Sequence, residues 1–130
     1  MKHFLIIITL LLFLILLGAT GCSCIAGKYY GVSGDNDILE VTDHYLFATI
    51  NAKAVVHFAV RNISEQRITR AVIEINYYDE DENLLGSDTV TLSDLRPSDK
   101  TDLIRVTSSL NRLEVEGYGF TISAELYVEE

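Results

Sequence analysis

From residue 70 to residue 92 the chain alternates apolar and polar side chains, breaks, and alternates again. Ala71, Ile73, Ile75 and Tyr77 fall on one side, and Val72, Glu74, Asn76 and Tyr78 on the other. A period of two lets one face meet a core and the other meet water, the mark of a strand. Residues 79–83, Asp-Glu-Asp-Glu-Asn, break the pattern with turn formers, and Leu84, Leu85, Val90 and Leu92 resume it. The stretch therefore predicts two strands joined by a short acidic turn.

The same period recurs along the chain. Residues 53–62 place Ala54, Val56, Phe58 and Val60 on one face and Val55, His57, Ala59 and Arg61 on the other. Residues 38–50 predict a strand or a pair of strands, with Leu39, Val41, Tyr45, Phe47 and Thr49 at alternate positions and a bend at 42–44. Residues 101–108 alternate again. Residues 120–128 form the most regular amphipathic strand, with Phe120, Ile122, Ala124, Leu126 and Val128 opposite Thr121, Ser123, Glu125 and Tyr127. Leu110, Leu113 and Val115, within 109–119, fit a helical turn or an irregular strand. Pro97, the single proline, sits in a loop at 93–100, where it interrupts no ladder. About seven strands with turn signals every 8 to 15 residues or so predict an all-β, two-layer antiparallel β-sandwich, with a small barrel as the alternative.

The first residues follow another pattern. Lys2 and His3 precede an apolar run, residues 4–17, interrupted only by Thr9, and Gly18, Ala19, Thr20 and Gly21 follow before Cys22. A basic start, an apolar stretch and a small-residue end describe a secretory signal. The run covers about 14 residues, whereas a bilayer-spanning helix needs roughly 20. Counting the small residues brings it near 18, so a retained anchor helix is the alternative to cleavage. Ala19-Thr20-Gly21-Cys22 resembles the lipobox of prokaryotic lipoproteins, although Ala19 stands where leucine is usual. That resemblance implies a signal peptide at 1–21 and a lipid on Cys22, holding the protein at the extracytoplasmic face of the cell membrane. Residues 22–37, rich in Gly, Ser, Asp and Asn, then read as a flexible tether, and residues 38–130 as the β-sandwich domain.

Cys22 and Cys24 are the only cysteines. With one residue between them a disulfide would close a strained ring, and two thiols are too few for a closed zinc site. A domain with no cysteine must be stable through packing alone. The formal net charge is −9. Loss of Lys2 with the signal makes it more negative still, which excludes a nucleic-acid partner that needs a basic surface.

Three pieces of the chain resemble the FxLYD domain, an immunoglobulin-like module of bacterial and archaeal envelope proteins. They are Val60-Arg61-Asn62-Ile63-Ser64, Ile75-Asn76-Tyr77-Tyr78-Asp79 and Leu95-Arg96-Pro97-Ser98. Tyr78-Asp79 is what survives of the name motif. Ile75 stands for Phe, Tyr77 for Leu, Asn83 for the usual turn glycine, and Ser98 for the glycine after proline. The resemblance covers residues 53–106 and implies an immunoglobulin-like sandwich, commonly lipid-anchored. The family offers no catalytic residues to carry over.

Candidate chemistry is sparse. Asp79, Asp81 and Asn83 match the opening ligands of a calcium loop, but Leu84 stands where the sharp turn needs glycine and Val90 where a bidentate Glu belongs. His44 and His57 are the domain's histidines, and both read as packed or surface residues. No G-x-S-x-G elbow or glycine-rich phosphate loop occurs. An enzyme is not expected, and neither is a cofactor. Asn62-Ile63-Ser64 fits a glycosylation sequon, although Asn62 more simply closes a turn with its side chain. Tyr78 and Tyr127 fall opposite the expected core and are the candidates for an interface with another envelope protein. The expected function is display: a lipid-anchored binding module, with calcium or small-ligand binding at the 79–83 turn as the alternative.

Overall fold

Alternating β-branched and aromatic residues draw the chain into seven strands. The computed structural model describes residues 27–128, and the expected signal and anchor helix, Cys22 and Cys24 lie outside the described residues. In order the strands are β1 (Lys28–Gly34), β2 (Leu39–Ala48), β3 (Lys53–Asn62), β4 (Ile68–Tyr78), β5 (Leu84–Leu95), β6 (Ile104–Asn111) and β7 (Gly117–Leu126). They form a four-stranded sheet, β1-β7-β4-β5, and a three-stranded sheet, β2-β3-β6. No helix occurs among the described residues.

The core lies between the two sheets. The expected inner faces hold: Ala71, Ile73, Ile75 and Tyr77 of β4 and Ala54, Val56, Phe58 and Val60 of β3 are fully buried. Phe120 and Ile122 of β7 join them. The Phe58 and Phe120 rings meet across the layers with centroids 5.1 Å apart. Each such side chain contributes about 1.5–3 kcal/mol through removal from water. β3 is central in its sheet and is buried on its other face as well, at Val55 and Ala59.

Two expectations need correction. Tyr45 and Phe47 do not share a face with Leu39 and Val41. The bend expected at 42–44 is a β-bulge: Thr42 pairs with Ala59, but Tyr45 pairs with His57, so β2 spends one extra residue. Asp43 takes a φ of 51° there. One added residue inverts the phase of everything after it. Leu46 therefore turns inward, while Tyr45 and Phe47 turn outward beside His57.

The second correction concerns the tether. Residues 28–34 are not linker but β1, an edge strand paired parallel to β7. Glycine makes this possible where the side-chain pattern does not announce it. Gly31, with φ 88°, sits at a bulge between Tyr29 and Val32. Gly34, with φ 86°, brings its backbone so close to Ile122 that an added Cβ would overlap the carbonyl oxygen. The sandwich is thus not wholly antiparallel. Residues 109–119 resolve into the end of β6, a turn at 112–114 and the start of β7.

The strand directions give the sandwich two unlike ends. The start of β1, the β2–β3 turn, the β4–β5 turn and the β6–β7 loop meet at one end. Backbone bonds tie them together: Arg112 N–H donates to Ala52 O (2.7 Å), Glu116 N–H to Tyr78 O (2.9 Å) and Lys28 N–H to Glu116 O (2.8 Å). The β3–β4 turn, the β5–β6 loop and the end of β7 form the other.

Candidate functional site

The acidic turn 79–83 is built by its own first residue. The Asp79 carboxylate accepts the amides of Asp81 and Asn83, each at 2.9 Å, and the Asn83 side-chain amide at 3.4 Å. These bonds, the Asn83 amide foremost, hold the Asp79 carboxyl below its usual range. Its oxygens therefore serve the turn in which Asp81 and Asn83 also stand. Among the described residues no three His, Cys, Asp or Glu side chains are grouped to hold a metal ion.

The turn instead forms one wall of an open groove of about 390 Å³ at the β1-start end, lined by Asp79, Glu80, Asp81, Leu85, Leu113, Glu114 and Glu116. Five of these seven residues are carboxylates and two are leucines. Glu82 turns away to pair with Lys28 at 3.2 Å, and both groups are exposed, so that bridge adds little.

Of the two candidate interface tyrosines, Tyr127 stands exposed at the far end of the sandwich. Tyr78 does not stand free: its ring packs against Tyr30 of β1, centroids 4.7 Å apart. Tyr30 lies over Gly117 and Gly119, whose missing side chains leave the space for its ring. Lys28 Nζ sits 4.9 Å from the Tyr30 centroid.

Both histidines are held by tyrosines. Tyr45 Oη lies 2.6 Å from His57 Nδ1, and the buried His57 Nε2 has no hydrogen-bond partner. His44, carried inward at the β2 bulge, stacks on Tyr29 with centroids 3.9 Å apart, and its Nδ1 lies 2.8 Å from Tyr118 Oη. Burial pushes the His44 imidazole below its ordinary value, opposed by the Asp43 carboxylate. Burial raises Tyr29 and pushes Tyr118 up to about 12. This cluster fastens β1 across the two layers, and it was hidden from sequence reading. The only cue was two tyrosines framed by Gly27, Gly31 and Gly34.

The Tyr118 shift sets an alkaline limit. The unfolded chain ionises its tyrosines near pH 10, while the folded chain keeps Tyr118 neutral until about 12. The associated stability is present below pH 10 and is lost as pH rises toward 12. Denaturation midpoints measured from pH 8 to pH 11 are expected to fall above pH 10, and to fall less in Tyr118→Phe. Identical slopes in the two proteins would sink this account.

Asn62 is not an acceptor for sugar. It is fully buried, and its Nδ2 donates to Gln66 O (2.8 Å) and Leu95 O (3.0 Å). Its Oδ1 accepts from Ser64 N (2.9 Å) and Ser64 Oγ (2.7 Å). The turn-closing role expected of it is the one it has.

No family model and no curated protein matches the chain, so the FxLYD resemblance rests on the residues that carry it. Among solved structures, the chain is similar to Campylobacter jejuni cj0090, with TM-score 0.49 and 13% identity over 73% of this chain and 97% of that one. It is also similar to a DUF1425 family member from Shewanella sp. pv-4, with TM-score 0.46 and 13% identity over 71% of this chain and 81% of that one.

Proposed function

We propose that the protein is an extracytoplasmic lipoprotein that displays an immunoglobulin-like sandwich of the FxLYD kind as an interaction module for another envelope protein, without catalysis. Cys22 carries the lipid and residues 1–21 are the signal peptide. The observation that carries the reading is the Ala19-Thr20-Gly21-Cys22 sequence after the apolar run. In the described fold β1 starts at Lys28, six residues after Cys22. The partner would meet a surface away from the anchor. Tyr127, exposed at the far end, is the candidate for that contact; Tyr78 is half-buried against Tyr30.

Fatty-acid labelling tests the anchor. Wild-type protein is expected to take up label and sediment with membranes, and Cys22→Ala to lose both while its domain stays folded. Equal labelling of the two proteins would end the proposal. Cross-linking from native membranes then identifies the partner, with Tyr127→Ala expected to weaken the cross-link.

A second reading is favoured by the acidic groove. Five carboxylates around two leucines suit an organic cation or a basic peptide segment, and charge-assisted contacts there would give specificity. It is the small-ligand alternative, moved from the 79–83 turn alone to the groove between that turn and the β6–β7 loop.

A further inference from the structure

We propose that the end of the sandwich bearing the β2–β3 turn and the β6–β7 loop rests on the membrane, with Ile50 and Leu113 dipping into the boundary between headgroups and acyl chains of a zwitterionic bilayer. The proposal depends on lipidation of Cys22.

Three observations converge on that end. Gly27 and Lys28, where the described chain begins, are there: a side chain at Gly27 would touch Leu46 and Arg112, and Lys28 bonds to Glu116. Cys22 precedes Lys28 by only a few residues, and at 3.3–3.6 Å per residue that stretch spans at most about 20 Å. A lipid on Cys22 therefore holds this end, not the opposite one, beside the bilayer. The apolar tips are the second observation. Ile50 is 105% exposed and Leu113 82% exposed, the two highest values among the exposed large apolar residues. Both crown tight turns. The β2–β3 turn is closed by Ala52 N–H to Thr49 O (2.9 Å) and by Lys53 N–H to Thr49 Oγ1 (3.1 Å). The β6–β7 turn is closed by Leu113 N–H to Asn111 Oδ1 (2.9 Å). Two apolar tips on rigid turns, one bonded to the other through Arg112 and Ala52, lose little conformational freedom when they enter an interface.

The third observation is charge, which chooses the lipid. Glu80, Asp81, Glu114 and Glu116 line the groove beside Leu113. An anionic leaflet repels them, while the ammonium groups of zwitterionic headgroups lie within reach of carboxylates. Two aliphatic tips alone bind a bilayer weakly. Tethering by the lipid supplies a high effective concentration, so a weak contact is enough to set the orientation. Of the other strongly exposed apolar residues, Leu84 begins β5 at this same end, whereas Tyr127 and Val128 lie at the opposite end and would point away from the membrane.

The test uses the full-length lipidated protein, carrying Cys24→Ser, reconstituted into phosphatidylethanolamine–phosphatidylcholine vesicles. A polarity-sensitive fluorophore is placed at Asn51→Cys, beside Ile50, or at Glu65→Cys, at the far end. The probe at 51 is expected to shift to the blue and to be quenched by nitroxide-bearing lipid, and the probe at 65 to do neither. Adding Ile50→Ser and Leu113→Ser, both at exposed positions that leave the core intact, is expected to abolish the shift at 51. Replacing part of the lipid with phosphatidylglycerol is expected to reduce it. Lipidated protein whose probe at 51 behaves like that at 65 overturns this inference and leaves the anchor standing. Protein that acquires no lipid at Cys22 overturns both.

Discussion

Asn62→Ala is expected to lower the stability of the domain by about 3 kcal/mol, because it removes four hydrogen bonds, among them the buried one to the Leu95 carbonyl. For a domain of this size the melting temperature falls by roughly 4–8 °C per kcal/mol, so the drop is large in any thermal scan. The site is a junction of three connections. Asn62 N–H donates to Asp99 O and Asn62 O accepts from Ser98 N–H, both at 2.9 Å, while the side chain reaches the β3–β4 turn and the end of β5. Asn62→Asp is the sharper variant. It keeps an acceptor for Ser64 but turns a carboxylate toward the carbonyls of Gln66 and Leu95. Its loss is expected to match or exceed that of alanine at neutral pH and to ease on acidification, when a protonated carboxyl can donate one of the bonds. A change under about 1 kcal/mol in Asn62→Ala would show that water replaces the side chain at no cost, against the burial seen.

Gly34→Ala is expected to cost about 2–4 kcal/mol and to detach β1 selectively. The residue has φ 86°, and a Cβ would lie within overlap distance of the Ile122 carbonyl, which is backbone and has nowhere to go. The next residue makes the closure tighter: Asp35 N–H donates to Ile122 O (2.9 Å), and Asp35 Oδ2 accepts the amide of Ala124 (2.8 Å). Amide hydrogen exchange separates this from general destabilisation. Protection should fall along β1 and the adjoining edge of β7 while the β4–β5 ladder keeps its own. Gly31→Ala makes the comparison, since it shares a positive φ but no atom stands within 4 Å of its added Cβ. Equal losses in the two variants would mean that the approach to Ile122 is not the cause.

The sequence showed the inner faces of β3, β4 and β7 because each keeps a strict period of two over a long run, and burial on one side is what that period encodes. It could not show the faces of β2. A bulge inverts the phase, and one residue at positive φ, Asp43, leaves no mark in the alternation. β1 was hidden for a related reason. Its fit depends on glycines and on backbone approach, not on apolar side chains, so it reads like linker. The parallel pairing of β1 with β7 joins two ends of the chain that no local pattern connects. At the candidate site the 79–83 turn was legible as a turn, since Asp and Asn favour such bonds wherever they stand. The groove it shares with the β6–β7 loop was not, because Glu114 and Glu116 come from residues with no clear period. Asn62 was legible in its role but not in its depth.

The pairing of β1 with β7 has a mechanical consequence. The two strands run in the same direction, so the described chain begins at one end of the sandwich and finishes at the other. A pull that drags Lys28 toward one side and Leu126 toward the other does not peel this ladder bond by bond. It loads the pairs from Lys28–Gly117 to Gly34–Ile122 together, in shear. Rupture then demands the near-simultaneous loss of many hydrogen bonds and of the Tyr30 ring seated over Gly117. Forced unfolding follows the barrier to that concerted event and not the equilibrium stability. A domain held at its N-terminus and gripped at its far end is therefore strung along its stiffest line.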